Sequence, residues 1–356
     1  MGNEPFHYSI NIESGLPSNE IYDITSDTNN IIWITTDRGV VKYDGYNYKY
    51  FTTADSLADN TNFYFNDVKD NQLWLSGFNR KLSYISHDCV HQYRFNKELL
   101  LLLEGNSDNW IKYICKRAED YFFFTFRNGR GIEIFQFKLD EPPRLVGENK
   151  SLYKIISDNE DGILIKFGDR QFFFFKDNGY YISQKYGVSC AQNDKKNNTY
   201  YHSKFKIFKR KIDGTTQKIA VQAQIEKIFI DNQNNLWACT RKGIFYYDNA
   251  DLDAPPLQFF SDLLVSCIEQ DFQGNYWAGT NVSGIRLISK LDIKKFTYGN
   301  LKEGNDNILR ICDYKMNLAF GNSQSNLVIC NKDDSCKVIT VPMNGNSAQL
   351  NKIDEW

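Results

Sequence analysis

The chain has 356 residues, a formal net charge of −2 and an aromatic content of 15%. The near-neutral charge argues against nucleic acid as the main partner, because binding to phosphates needs an excess of basic residues. No apolar run approaches the roughly 20 residues that cross a bilayer, so we expect no membrane contact within this chain. The many Phe and Tyr residues favour β-strands, whose pleated faces accommodate flat side chains.

The N-terminal segment 6–12 alternates like a single β-strand, and a turn over residues 15–19 follows it. A longer pattern then runs from Asp27 to Gly45: a polar turn, a short strand around Trp33, a Gly turn and a second strand. The same plan returns from Asp231 and again from Asp271. Such a repeat decides the fold class before any single residue is interpreted.

Eight units of this kind follow one another, and each has a central aromatic or apolar residue. These central residues are Trp33, Trp74, Phe123, Leu164, Tyr201, Trp237, Trp277 and Leu318. Their spacing of about 40 residues, with strands and Gly, Asn or Asp turns between them, is typical of one propeller blade. The sequence therefore predicts an all-β propeller of four-stranded antiparallel blades.

The N-terminal strand 6–12 lacks partners of its own, so we expect it to complete the last blade and close the ring. Seven blades would then occupy residues 1–300. Residues 301–356 would form the first blade and the start of the next blade of a second, truncated propeller. The alternative is an eighth blade of a single ring. Extra residues between Ser86 and Asn109 predict a protruding loop.

The repeat resembles that of the two-component regulator propeller family. The matching residues are Gly15 to Asn19, Asp27, Trp33 to Thr36 and Gly39 to Gly45. The resemblance implies an extracytoplasmic sensor module of a bacterial, Bacteroidetes-type hybrid or sensor histidine kinase. It also implies a periplasmic or extracellular position, and a homodimer in the full-length receptor. A membrane helix and the kinase would follow in the receptor.

No catalytic motif is present, so we expect no enzyme and no cofactor in this region. A propeller lyase or hydrolase and a protein-interaction scaffold are the alternatives. His87, Cys89 and His91 have a metal-like appearance but are expected to lie in a solvated loop. The turns at Asp27, Asp194 and Asp231 lack the closing Glu of calcium loops and are expected to be plain turns.

The recurring Trp residues could stack against sugars, but their fixed place in successive units favours packing between blades. Cys330 and Cys336 flank a polar turn and could form a disulfide across a hairpin in an oxidising compartment. The other cysteines show no metal-binding spacing.

The turn between the second and third strands carries a cation in most units. These cations are Arg38, Arg80, Arg127, Arg130, Arg170, Lys204, Arg241 and Lys242. Such turns share one face of a propeller, so a half-ring of cations there would attract an oligosaccharide or another anionic small ligand. Ordinary solubility of charged turns is the alternative explanation.

Overall fold

The structure of the chain is a computed structural model with two compact units, Met1–Leu291 and Asp292–Trp356. It describes residues 4–68, 72–87, 89–104, 111, 113–117, 119–127, 131–146, 154–158, 161–167, 170–177, 180–181, 188–289, 308–314, 317–322, 326–330 and 336–340.

The first unit is a β-propeller of seven antiparallel blades, which confirms the predicted fold class. The strands of the first three blades follow the N-terminal strand β1 (His7–Ile10). They are β2 (Ile21–Ser26), β3 (Ile32–Thr36), β4 (Gly39–Tyr43) and β5 (Tyr48–Phe51) in blade 1; β6 (Asn62–Val68), β7 (Gln72–Gly77), β8 (Leu82–Ser86) and β9 (Cys89–Gln92) in blade 2; and β10 (Ile114–Arg117), β11 (Asp120–Arg127), β12 (Gly131–Phe137) and β13 (Arg144–Leu145) in blade 3.

The remaining blades continue in chain order. Their strands are β14 (Lys154–Asp158), β15 (Gly162–Phe167), β16 (Arg170–Asp177), β17 (Tyr180–Tyr181) and β18 (Val188–Cys190) in blade 4; β19 (Gln192–Asn193), β20 (Thr199–His202), β21 (Lys206–Arg210) and β22 (Thr216–Ala220) in blade 5; β23 (Ile225–Ile230), β24 (Leu236–Thr240), β25 (Gly243–Tyr247) and β26 (Leu257–Phe259) in blade 6; and β27 (Val265–Gln270), β28 (Tyr276–Thr280) and β29 (Ile285–Ile288) in blade 7. In blade 4 both β17 and β18 pair with β16.

Strand β1 closes the ring. It pairs antiparallel with β29, from His7 opposite Ile288 to Ile10 opposite Ile285, and so supplies the fourth strand of blade 7. The Glu4 carboxylate next to it accepts a hydrogen bond from the backbone N–H of Phe260 in blade 6. The two ends of the ring are thus joined by backbone pairing, which leaves no exposed edge at that point.

In blades 1, 6 and 7 the Asp turn and the Trp of the repeat form one hydrogen-bonded unit. In blade 6, Asp231 Oδ1 accepts from the backbone N–H groups of Gln233 and Asn235, at 2.9 and 2.7 Å. Its Oδ2 accepts from Trp237 Nε1 at 2.9 Å. The Asp231 carboxylate therefore holds the turn and the Trp side chain together.

The other intact copies repeat this geometry. Trp33 Nε1 donates to Asp27 Oδ2, and Trp277 Nε1 donates to Asp271 Oδ2, both at 2.9 Å. In blade 5, which has no Trp, the hydroxyl of Tyr200 donates to Asp194 Oδ2 at 3.1 Å instead. The sequence pattern therefore encodes a buried polar anchor as well as a hydrophobic stripe.

The Trp side chains pack between neighbouring blades, as predicted. Trp33 is 1% exposed and lies in one apolar cluster with Leu73 and Leu75 of blade 2. Trp237 is fully buried, and its ring centroid lies 4.3 Å from that of Tyr276 in blade 7. Burial of such large side chains between blades stabilises the ring.

The glycine that follows the Trp strand in blades 1, 6 and 7 has a steric role. Gly243 has a φ of +79°, and a β-carbon there would collide with the backbone oxygens of Phe259 and Phe260. Gly39, in the matching place of blade 1, has a φ of +126° and lies against the oxygen of Phe51. In these blades the third strand can therefore begin this close to the end of the fourth strand only because the residue is Gly.

In its described residues 86–87 and 89–104, the segment between Ser86 and Asn109 is not the protruding loop that the sequence predicts. Residues Cys89–Gln92 form β9, and Asn96–Leu102 form a helix, α1. Leu99 and Leu103 are fully buried in a cluster with Trp74. The leucine run was too short to show helical periodicity, but its apolar side chains cover the junction of blades 2 and 3. In the described part of the chain, no helix is long and apolar enough to span a membrane.

The second unit contains one four-stranded antiparallel sheet. Its strands are β30 (Ile308–Tyr314), β31 (Asn317–Asn322), β32 (Asn326–Cys330) and β33 (Cys336–Thr340). Cys330 faces Cys336 in the register of the last two strands and is disulfide-bonded. The sheet has the strand order of a propeller blade, and its assignment to a second propeller stays a prediction.

Candidate functional site at the channel mouth

Four of the innermost strands of the ring carry a β-bulge at matching positions. Pairing between first and second strands skips Tyr22 in β2, Phe63 in β6, Glu226 in β23 and Ser266 in β27. A bulge adds an unpaired residue and re-aims its side chain. Each skipped residue lies at the end of the strand that shares a face with the turn between strands two and three. The mouth of the central channel is therefore lined by residues that the bulges redirect.

Two adjoining cavities lie at this mouth, with volumes of about 170 and about 100 Å³. Both are lined by Tyr22, Tyr64, Glu226 and Ser266. The larger one extends towards Asn66, Tyr113, Arg170, Gln192, His202 and Lys227, and the smaller one towards Phe63, Arg241, Leu264 and Asn281. Side chains from blades 1, 2, 4, 5, 6 and 7 thus share one concave site, which is typical of ligand sites in proteins.

An ion pair crosses the larger cavity. Lys227 Nζ in blade 6 lies 2.7 Å from Asp23 Oδ1 in blade 1, and the Asp23 side chain is only 8% exposed. The other carboxylate oxygen of Asp23 accepts from the backbone N–H of Phe65 in blade 2, at 3.0 Å. Asp23 therefore joins three blades. Burial alone would lower the pKa of Lys227, but the nearby charge of Asp23 raises it above its usual value, so the Lys227 side chain is positively charged.

A second ion pair borders the smaller cavity. Arg241 Nε donates to Glu226 Oε1 at 3.0 Å, and the Glu226 side chain is 10% exposed. Across the cavity the ring centroids of Tyr22 and Phe63 lie 4.8 Å apart in an edge-to-face contact. Burial and the hydrogen bond to Glu20 raise the pKa of Tyr22, so its hydroxyl stays a donor. The smaller cavity thus has an aromatic wall on one side and a charged pair on the other.

Below these pairs, Glu269 of β27 lies beside Lys227 and accepts from the Ser26 hydroxyl at 3.3 Å. Burial raises the pKa of Glu269 to about 7; the charge of Asp23 adds to this, while Lys227 acts in the opposite direction. Its carboxyl group therefore exchanges a proton near neutral pH, unlike an exposed Glu.

The raised pKa predicts a pH dependence of stability. Between the unfolded pKa of 4.5 and the folded pKa of about 7, the folded chain binds more protons than the unfolded chain. The free energy of unfolding should therefore fall as pH rises from 5 to 7, by about 2–3 kcal/mol from this group. Urea titrations of the protein and of Glu269→Gln should show this fall only where Glu269 is present. Parallel pH profiles of the two proteins would contradict the assignment.

The predicted cations do not all meet at the mouth. Arg170 lines the larger cavity and Arg241 the smaller one. Arg38, Lys204 and Lys242 are exposed and are not among the lining residues, and Arg80 Nη1 donates to Leu103 O at 3.3 Å. The side chain of Arg127 and the whole of Arg130 lie outside the described residues. A role in ligand binding for this half-ring stays a prediction.

The metal-like segment is an ordinary hairpin. His87 Nδ1 lies 2.9 Å from the Ser86 hydroxyl, and the His91 ring stacks on Tyr84 with centroids 4.9 Å apart. Within the described part of the chain, no group of His, Cys, Asp or Glu is arranged to hold a metal ion. Cys89 and His91 belong to strand β9 of blade 2, and not to an inserted loop.

The fold and the mouth together define the chain as a repeat propeller with two small adjoining cavities lined by several blades. Residues 15–38 match the model of the family described as two component regulator propeller, which confirms the resemblance seen in the repeat. A comparison with curated proteins gives no significant match.

Among solved structures, the chain is similar to two extracellular domains of hybrid two component systems from B. thetaiotaomicron. The domain of BT3049 has 16% identity and a TM-score of 0.56, over 95% of this chain and 49% of that chain. The domain of BT4673 has 16% identity and a TM-score of 0.55, over 97% of this chain and 48% of that chain. The chain thus spans about half the length of these structures. At this identity the likeness shows the fold alone.

An enzyme has the same fold. Virginiamycin B lyase from Staphylococcus aureus matches with 15% identity and a TM-score of 0.51, over 76% of this chain and 94% of that chain. Fold likeness therefore does not separate a sensor from a lyase, and function has to be argued from the site.

Proposed function

We propose that this chain is the ligand-sensing module of an extracytoplasmic two-component signalling receptor. Its ligand, an oligosaccharide or another small anionic molecule, would bind at the channel mouth. The observation that carries this proposal is the lined mouth itself, where bulges in four innermost strands direct side chains of different blades into one pair of cavities. The repeat match over residues 15–38 adds the signalling context.

Two further observations support this context. The similar B. thetaiotaomicron structures are extracellular domains, and the disulfide at Cys330 is typical of an oxidising compartment. Their greater length leaves room for a second propeller, of which the sheet after residue 301 would be the first blade. The kinase and the membrane segment would belong to the rest of the receptor. Two copies of the receptor would associate.

Two equivalent arginines allow a test of where the ligand binds. Arg38 and Arg241 occupy the same corner of blades 1 and 6, but only Arg241 lines the mouth. We expect Arg241→Glu to weaken binding of anionic oligosaccharides by at least about tenfold, because two carboxylates would then face each other there. Arg38→Glu adds the same charge away from the cavity and should change binding by less than about twofold.

The measurement is a glycan array followed by calorimetric titration of the whole chain. Equal losses in both variants would indicate that the ligand binds on the wider half-ring of cations. That result would contradict binding at the mouth. Array signals that neither variant changes would contradict both locations. Mass spectrometry of the recovered glycan separates the classes of function: an intact glycan is expected for a sensor, and a cleaved one would favour a lyase-like enzyme.

A further inference from the structure

We propose that Asp23, Lys227 and Glu269 form a proton-operated switch beneath the larger cavity. With a proton on Glu269, Lys227 pairs with Asp23 alone. Without that proton, two carboxylates compete for one ammonium group, and the junction of blades 1, 2 and 6 loosens. The inference goes beyond ligand sensing, because it gives the fold a response to pH that needs no ligand.

The strand register brings the three groups together. Asp23, Lys227 and Cys267 each follow the bulge of their strand, so they occupy equivalent positions in blades 1, 6 and 7. Because blade 7 lies between blades 6 and 1, Lys227 reaches Asp23 across the inner strand of blade 7. Glu269 comes two residues after Cys267 on the same face of β27, in the next layer under this ion pair. Its Oε1 accepts from the Ser26 hydroxyl of blade 1 at 3.3 Å.

Asp23 transmits the state of this cluster to the backbone. Its Oδ1 accepts from Lys227 Nζ at 2.7 Å and from the backbone N–H of Ile24 at 3.1 Å. Its Oδ2 accepts from the backbone N–H of Phe65 at 3.0 Å. A change of charge beside Asp23 therefore acts on two backbone hydrogen bonds, one within blade 1 and one to blade 2.

The cluster holds two carboxyl groups and one ammonium group. Asp23 and Glu269 both interact electrostatically with Lys227 and with each other. A second ionised carboxyl so near the first is unfavourable where bulk water is excluded. Burial raises the pKa of Glu269 to about 7, the charge of Asp23 acts in the same direction, and Lys227 opposes both. A proton on Glu269 therefore removes the surplus negative charge near neutral pH.

The titratable groups around the cluster come from four strands. They are Asp23 of β2, Glu226 and Lys227 of β23, Cys239 of β24, and Cys267 and Glu269 of β27. Burial raises the pKa of both thiols, so they stay uncharged. Glu226 already pairs with Arg241 at 3.0 Å. Among these described groups, Lys227 is thus the cation that has to balance both Asp23 and Glu269.

The switch also alters the larger cavity, because Asp23 and Lys227 line it. Loss of the proton gives the cluster a net negative charge and draws the ammonium group towards Glu269. An anionic ligand at the mouth would then bind more weakly above pH 7, and its binding would take up a proton. This consequence rests on the proposed function, whereas the switch itself does not.

Hydrogen exchange of the whole chain, followed by mass spectrometry and corrected for the intrinsic effect of pH, tests the switch. Between pH 5 and pH 8 the protection of the Ile24 and Phe65 amides should fall at least about tenfold, because opening returns Glu269 to its ordinary pKa and so favours the ionised form. Glu269→Gln keeps the shape but cannot ionise, so its protection should change by less than about twofold. Glu98→Gln, the same change on the exposed surface of helix α1, should retain the full fall.

The buried amides of Phe123 and Phe135 in blade 3 report global unfolding. At pH 8 the Ile24 and Phe65 amides should be at least about tenfold less protected than these two, because the junction opens by itself. Equal protection at all four amides would show global unfolding, and an equal fall in Glu269→Gln would assign the pH response to another group. Either result would overturn the switch. Since the experiment uses no ligand, its failure would leave the sensor proposal standing.

Discussion

Replacing Asp231 by alanine is expected to lower the free energy of unfolding by about 4 kcal/mol. The change removes the acceptor of Trp237 Nε1, of two turn N–H groups and of the Tyr276 hydroxyl, which lies 2.8 Å away in the next blade. Bonds to a charged acceptor contribute about 1.5–3 kcal/mol each, and donors left buried add their desolvation cost. We expect a loss no larger than about 4 kcal/mol because water can reach part of the turn and replace some of the lost hydrogen bonds.

Asp44→Ala is the matched control for this prediction. Asp44 accepts from the backbone N–H groups of Tyr46 and Asn47 in a similar turn, but it is exposed and holds no Trp. Its loss should be much smaller in urea titrations followed by circular dichroism. A double variant of Asp231→Ala with Trp237→Phe should lose less than the sum of the two single changes, since they break one shared bond. Equal losses at Asp231 and Asp44 would show that the indole bond contributes little.

The repeat period made the fold predictable. Residues about 40 apart carry the same apolar and turn pattern, and only a closed ring of sheets accommodates so many antiparallel units. The closing strand was predictable because segment 6–12 has strand character and no local partner. The buried indole bond was not predicted, since an Asp six residues before a Trp meets it only after the turn folds. Trp74, whose Nε1 has no partner among the described residues, belongs to a shorter copy of the pattern.

The mouth was missed for a physical reason. A regular strand places alternate residues on one face, but Ile21 and Ile24 are both buried and stand three apart. The same spacing separates Ile225 from Ile228. This break of the two-residue period is the sign of a bulge, and the residue after the first Ile is the one re-aimed. This break in the two-residue period would have identified Tyr22 and Glu226 as residues that line the mouth.

The predicted half-ring of cations shows a second limit of prediction from sequence, namely which of the side chains reach the cavities. Equivalent corners share a face of the propeller, as expected, but their distance from the axis depends on side-chain direction and on local partners. Arg241 turns inward because Glu226 beside it is buried and accepts its N–H, whereas Arg80 is held by the end of helix α1. Sequence position alone specifies the corner and not the direction of the side chain.

Replacing Lys227 by methionine is expected to lower the free energy of unfolding by about 3 kcal/mol at pH 7. Methionine fills a similar volume, so the cost comes from leaving Asp23 buried without its counter-charge, together with Glu269 beneath it. Lys206→Met is the control: its pair with Asp161 has the same distance of 2.7 Å, but the lysine is 44% exposed against 33% for Lys227, and Asp161 keeps a second lysine partner at 3.3 Å. Because Asp161 is not left without a counter-charge, we expect this change to cost under about 1 kcal/mol.

The pH dependence separates the loss of charge from the loss of packing. Without Lys227 the pKa of Glu269 should rise further, because burial and the charge of Asp23 then act unopposed. The fall in stability of Lys227→Met should therefore extend to higher pH than that of the unchanged protein. The double variant of Lys227→Met with Asp23→Asn should recover part of the lost free energy of unfolding. Asparagine removes the uncompensated charge and keeps an acceptor for the Phe65 N–H. A double variant no more stable than Lys227→Met would mean that the lysine acts by its packing and not by holding three blades together through Asp23.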